Sequence, residues 1–259
     1  MPRTTLIASE SDLLAAIDSN ETLVLKPVYS RFAAKTVFLP GRRGPTPAIT
    51  PTPQTRWVAQ QFIRGRQSCT YSVVHGGRIA AHTAYPVEFT AGQGAAVLFR
   101  HVDHAPSLAW VKKFVEAERF TGQIAFDFIE TSSGELYALE CNPRATSGVH
   151  LLASNPQFPE AFWDSESELV APTGDESSML AAAMVLYALP AVRSWAGLKQ
   201  WAAAFATSRD VIFASDDPLP AFSQLASVGY FLWRGLTNGV TALEASTLDI
   251  EWNGESVNG

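Results

Sequence analysis

Two acids and an amide stand close together in strand-like sequence, Asp127 in FDFIE and Glu140 and Asn142 in ALECN, either side of Ser132-Ser133-Gly134. Side chains alternate along a strand, so Asp127 faces away from Phe126 and Phe128. By the same rule Glu140 and Asn142 share one face, with Leu139 and Cys141 on the other. A hairpin closed at the Ser-Ser-Gly turn then brings Asp127 nearly opposite Glu140. Two carboxylates so placed repel each other unless a cation lies between them. Oxygen donors from two acids and an amide suit Mg²⁺, which keeps waters and takes substrate phosphates as further ligands. Arg144, just past Pro143, is placed to offer its planar fork to a phosphate.

Periodicity supplies the elements that must hold these residues. A strand at residues 5–8 leads through Ser9 and Asp12 into a helix carrying Leu13, Leu14 and Ile17. Residues 22–29 read as a second strand, with 36–39 able to pair with it. Proline, glycine and threonine mark 40–53 as a long loop. The runs WVAQQFI, QSCTYSVVH and RIAAHTAYPV, the last two joined by Gly76-Gly77, read as an antiparallel meander. AAVLFRHV is a further strand, and 106–120 spaces Leu108, Val111, Val115 and Phe120 as a helix does. Past Asn155 the chain turns alanine-, leucine- and tryptophan-rich, with helical spacing over 177–189, 194–206 and 220–236. Helices and sheet mix without regular βαβ alternation, which makes the fold class α+β.

With 259 residues and 47% hydrophobic side chains the chain can bury a substantial core. A formal charge of −6, without basic runs, argues against nucleic acid as partner. Cys69 and Cys141, the two cysteines, each lie in an apolar strand-like run and read as reduced core thiols of a cytoplasmic protein. The start has no basic region followed by an apolar stretch, so no secretory leader is expected. The apolar region 179–189 is shorter than the roughly 20 residues that span a bilayer, so no membrane partner is expected either.

The hairpin resembles the metal-binding hairpin of ATP-grasp enzymes, in which an acid on one strand precedes a Glu-x-Asn on the next. The Asn-Pro-Arg ending resembles carbamoyl-phosphate-synthetase-like and biotin-carboxylase-like members more than D-alanine ligases. The resemblance implies an ATP-grasp fold of antiparallel sheets and flanking helices over residues 1–155, with a mainly helical extension over 156–259. It implies Asp127, Glu140 and Asn142 as ligands of Mg²⁺, or Mn²⁺ in its place, and Arg144 as the stabiliser of charge on a transferred phosphoryl group. LVLKP resembles the strand whose lysine reaches the nucleotide phosphates, which would make Lys26 both a cofactor-binding and a catalytic group; an ordinary strand-end lysine is the alternative. WVAQQFIRG resembles the hinge strand that reads the adenine edge, so Gln60, Gln61, Phe62 and Ile63 would line the base; otherwise it is a plain buried strand. The implied activity is ATP-dependent activation of a carboxylate as an acyl phosphate, attacked by an amine or another nucleophile.

Three departures qualify the resemblance. The glutamate expected on the ribose is matched by Gln67, which accepts a hydrogen bond without charge assistance. The phosphate-covering loop, ordinarily glycine-rich, is YSRFAAK, where Arg31 or Lys35 would act by charge. The family's N-terminal substrate-binding domain and its first lysine have no counterpart ahead of residue 4. That implies either a fragment, a non-catalytic nucleotide-binding module, or a separate domain or subunit supplying that surface. In ATSGVH, Ser147 and Gly148 would donate to phosphate and His150 would reach substrate, unless His150 is simply packed.

Overall fold

The computed structural model describes residues 1–29, 35–41, 47–92, 94–174 and 176–250. The chain forms two compact units, one of Pro2–Phe62 with Ser215–Gly259 and one of Ile63–Ala214 together with Met1.

In the first of these, β1 (Thr4–Ile7), β2 (Leu23–Pro27), β3 (Val37–Leu39) and β4 (Trp57–Gln61) form an antiparallel sheet in the order β1-β4-β2-β3. Helix α1 (Glu10–Asp18) starts where expected: Ser9 is its N-cap, its hydroxyl accepting from the Asp12 amide, while the Asp12 carboxylate accepts from the Ala8 amide at 3.0 Å. Ile7, Leu13, Leu23, Leu25, Trp57 and Ala59 close a core on one side of the sheet. The unit also holds α7 (Leu219–Asn238) and α8 (Ala242–Ala245), packed on each other.

In the second unit, β5 (Arg66–His75), β6 (Arg78–Pro86), β10 (Gly122–Glu130) and β11 (Leu136–Asn142) form an antiparallel sheet in the order β11-β10-β5-β6. Helix α2 (Ala105–Ala117) covers one face of it. Val111 and Val115 meet Ile124, Phe126 and Phe128 of β10 there, and the rings of Trp110 and Phe126 touch edge to face at 5.1 Å between centroids. His104 caps α2, its Nδ1 accepting from the Ser107 amide at 3.3 Å, and Pro106 sits in the first turn.

The other elements of this unit are smaller. β7 (Thr90–Ala91) pairs with β8 (Ala95–Ala96), and β9 (Leu98–Arg100), β12 (Ser177–Met179) and β13 (Arg209–Asp210) form a sheet in which β12 and β13 run parallel. Short α3 (Val149–Leu152), a broken helical stretch containing α4 (Ala181–Ala183) and α5 (Leu189–Ala191), and α6 (Trp195–Thr207) complete it.

Three expectations are corrected. β4 belongs to a different sheet from β5 and β6, so WVAQQFI does not open their meander: its backbone bonds go to β1 and β2. The single strand expected in AAVLFRHV breaks at Val97, whose amide donates to the Phe89 carbonyl, and its two halves join different sheets. Residues 177–179 are strand rather than helix, because the edge of β9 offers a ladder that overrides their weak helical spacing. The hairpin closes at the expected Ser-Ser-Gly turn, with Gly134 at φ 82°, and Glu140 reaches its place opposite Asp127 through one register slip between Asp127 and Phe128.

Candidate metal and phosphate site

On the face of the β11-β10-β5-β6 sheet opposite α2, one row of residues crosses all four strands. Glu140 is the Cα partner of Asp127, Asp127 of Cys69, and Cys69 of Tyr85. Residues directly opposite in an antiparallel ladder point to the same side, so the four side chains form a polar row. Asn142 pairs with Ala125, two positions from Asp127, and joins the same face. The register slips once, between Asp127 and Phe128, which leaves Leu139 without a Cα partner. Simple alternation through Leu139 therefore fails, and the extra residue is what sets Glu140 rather than Leu139 opposite Asp127. The three sequence-chosen oxygen donors are thus brought together in one unit, with Gln67 two residues before Cys69 on the same side.

Cys69 is the neighbour that sequence reasoning missed. Its thiol lies within hydrogen-bonding reach of both the Asp127 carboxylate and the Tyr85 phenol. Burial, then the charge of Asp127, pushes the thiol well above its ordinary value, so it stays protonated and donates to the carboxylate. Burial likewise holds the Tyr85 phenol protonated, with the neighbouring Cys69 and Asp127 adding to it. Cys141 is the opposite case: it pairs with Phe126 on the α2 side of the sheet and is exposed, not part of a core. Both cysteines are free thiols.

Arg144 is exposed, and its guanidinium donates to Asn142 Oδ1 and to the Ala145 carbonyl, each at 3.0 Å. Asn142 Oδ1 keeps a second lone pair, and the guanidinium keeps further donors. Beyond Arg144 the turn packs rather than projects. Gly148 is buried with its Cα so near the sheet that a Cβ there would lie 2.5 Å from Tyr71 Cβ and 3.2 Å from Tyr85 Cε1. His150 stacks on Phe99 with 6.2 Å between centroids, and burial followed by the Arg209 charge lowers its pKa. That is the environment of a packed histidine.

The donor set fits a hard divalent cation. Two acids and an amide are all oxygen donors, the set that a hard cation prefers. Among the described residues no group of three or more His, Cys, Asp or Glu could hold a metal by itself. A cation on Asp127 and Glu140 would draw its remaining ligands from water and from a bound phosphate, which is the habit of Mg²⁺.

The other sequence-chosen residues lie mostly in the Pro2–Phe62 unit. Lys26 stands on the face of its sheet away from the α1 core, where its ammonium donates to Gln60 Oε1 at 2.9 Å and Gln60 Nε2 donates to Thr4 Oγ1 at 3.2 Å. That placement accounts for a lysine between Leu25 and Pro27: alternation turns it out of the apolar side. The amides of Gln61 and Phe62 donate to the carbonyls of Arg3 and Thr22, and the Phe62 ring meets Phe38 edge-on at 5.0 Å. Ile63 is buried at the start of the other unit. Lys35 is exposed with φ 60°, and Arg31 lies outside the described residues.

No protein-family model and no curated protein matches the sequence. Solved structures do. Phosphoribosylamine–glycine ligase from Thermotoga maritima is similar at TM-score 0.51, over 68% of this chain and 54% of its own, with 16% identity. The ADP complex of N5-carboxyaminoimidazole ribonucleotide synthetase gives TM-score 0.50 over 68% of this chain and 50% of its own, with 15% identity. The ATP-grasp ligase PsnB, complexed with minimal precursor, Mg and ADP, gives 0.41 over 57% and 45%, also with 15% identity. The first two likenesses show the fold: this chain has the fold of the ATP-grasp ligases, and it spans about half the length of the chains it matches. Among the described residues no helix is long and apolar enough to cross a membrane.

Proposed function

We propose that Asp127, Glu140 and Asn142 hold Mg²⁺, or Mn²⁺ in its place, against the phosphates of ATP, and that the protein is an ATP-dependent ligase acting on small-molecule carboxylates and amines. The observation that carries this reading is the direct pairing of Asp127 with Glu140 on one sheet face, in a fold shared with ligases. When bound, the cation supplies charge neutralisation at the phosphate oxygens. Arg144 offers its spare donors to the oxygens of the phosphoryl group being transferred. The substrate carboxylate oxygen bonds to the γ-phosphorus as the bond to the bridging oxygen breaks and ADP leaves. The amine then displaces phosphate from the acyl phosphate and gives up a proton. Cys69 keeps the Asp127 carboxylate oriented.

By resemblance, Lys26 is proposed to act on phosphate, Gln60, Gln61, Phe62 and Ile63 on the base, and Gln67 on the ribose. A division into a catalytic part at 1–155 and an extension at 156–259 belongs to the same proposal. The test is Mg²⁺-dependent ADP release with candidate carboxylate and amine pairs, native against Glu140→Gln. A loss of about 100-fold or more is expected, the range for removing a group that stabilises transition-state charge. Unchanged turnover in the variant sinks the metal assignment.

The neutral Gln67 favours one second reading, a nucleotide-binding module without turnover. Calorimetric binding of ATP with Mg²⁺, accompanied by no ADP release across the substrate panel, would select it.

A further inference from the structure

Helix α7 faces the wrong way for an ordinary surface helix. Ala221, Gln224, Val228, Phe231 and Gly235, spaced three or four residues apart, are its half-buried to buried positions. Gly235 is held close to Val240, Thr241 and Ala242, the turn that enters α8. The opposite side carries Leu219, Phe222, Leu225, Leu232, Trp233 and Leu236, each between 52% and 85% exposed. At 100° per residue these six fall on one arc around Gly229. A surface helix of a globular domain normally turns such an arc to its own core.

We infer that this arc is the interface on which two copies of the chain pair, with their α7 helices antiparallel about a two-fold axis at Gly229. Three observations choose a second copy over other occupants. The first is area. The two aromatic and four leucine side chains are each more than half exposed and together offer on the order of 800 Å², what one partner of a standard interface buries. Patches on monomers are ordinarily smaller.

The second is self-complementarity. Reversing the helix about Gly229 sets Phe222 against Leu236 of the other copy and Leu225 against Trp233, large against large in both directions, as a two-fold interface requires. Gly229 stands at the crossing with nothing within 4 Å of where its Cβ would be, so two backbones can approach there.

The third is charge. Arg234 is the sole charged side chain of α7, and at 100° per residue it falls outside the arc, so the pairing buries no charge. A helix meant for an anionic lipid surface would carry a basic border, which α7 lacks, and the whole chain is at −6.

The experiment uses the full chain in sedimentation velocity and light scattering from about 1 to 100 µM. The expected species has twice the 28.0 kDa mass of the chain, shifting to the single mass in Leu225→Glu with unchanged far-UV circular dichroism. Should Leu225→Glu fail to fold, Gly229→Cys and Ser227→Cys keep the question open to decision. In a Cys141→Ser background, which removes the exposed native thiol, mild oxidation should cross-link the Gly229→Cys chain to itself and leave Ser227→Cys, on the side away from the arc, uncross-linked. A chain at the single mass throughout the range overturns the proposal, and so does a dimer indifferent to Leu225→Glu that fails to cross-link through Gly229→Cys. Monomers that co-sediment with phosphatidylcholine vesicles would overturn it in favour of a membrane surface.

Discussion

Cys69 stands directly across the ladder from Asp127, on the strand opposite the one that carries Glu140. The thiol therefore serves the carboxylate as a fixed donor. Supporting hydrogen bonds of this kind typically matter 10- to 100-fold in metal affinity. Cys69→Ala is expected to weaken Mn²⁺-dependent ATP binding by about 10-fold, read by titration calorimetry. Cys69→Ser keeps a donor at the same place and should recover most of the loss. Equal binding by all three proteins would mean that the thiol is merely packing.

The two cysteines should also differ sharply toward an alkylating reagent, because the thiolate is the reacting form. Burial and the facing Asp127 hold Cys69 protonated, whereas Cys141 is exposed and is pushed up less, by partial burial and then by Glu140. Limiting iodoacetamide at pH 8 should label Cys141 first, with Cys69 reacting only on unfolding. Peptide mapping reads the order, and comparable early labelling of Cys69 would contradict its place in the row.

His82 predicts an acid-sensitive fold. It is buried, Nδ1 lies 2.8 Å from Ser72 Oγ, and Nε2 has no hydrogen-bond partner. Burial, with the nearby charge of His101, lowers its pKa from 6.5 to about 4. The folded protein thus holds the imidazole neutral, while the unfolded chain takes up a proton near pH 6.5. Its contribution is present in full above pH 6.5 and is lost as pH falls from there toward 4. At about 1.4 kcal/mol per pKa unit the loss is on the order of 3 kcal/mol. Urea unfolding between pH 7.5 and 4 should show that decline, and His82→Gln should flatten it. Parallel curves for the two proteins would remove His82 as the cause.

The hairpin was legible in the sequence because its information is local: Phe126, Asp127 and Phe128 alternate within one strand, and Ser132-Ser133-Gly134 closes the turn to Glu140. Cys69 was not, because its place beside Asp127 depends on β5 pairing with a strand far along the chain. The alternation of QSCTYSVVH puts Gln67, Cys69 and Tyr71 on one face without saying what lies opposite. The separation of β4 from β5 is likewise a matter of which ladder each joins. Helix α7 shows the limit most clearly. Periodicity marked 220–236 as helical, but it did not say which side of the helix is covered. Spacing tells which residues share a face, and only the neighbours tell where the face points.

Gly148 ties the turn after Arg144 to the sheet, and its lack of a side chain is what permits the contact. A methyl group there would meet Tyr71 Cβ at 2.5 Å, an atom close to the backbone that cannot swing away, and would press on Tyr85 and Thr83 at 3.2 and 3.3 Å. Overpacking of this kind costs about 1–3 kcal/mol. Tyr85 is the far end of the row that reaches Asp127, so the displaced ring should carry Cys69 with it. Gly148→Ala is therefore expected to lower the unfolding free energy by that amount and to weaken Mn²⁺-dependent ATP binding as well. Ser147→Ala, one residue away, makes no new contact with Tyr71 and should stay within about 0.5 kcal/mol of the native chain. Urea unfolding and calorimetry on both variants separate the two effects. If Gly148→Ala were destabilised but bound nucleotide as the native chain does, the turn would be a structural prop with no hold on the Asp127 carboxylate.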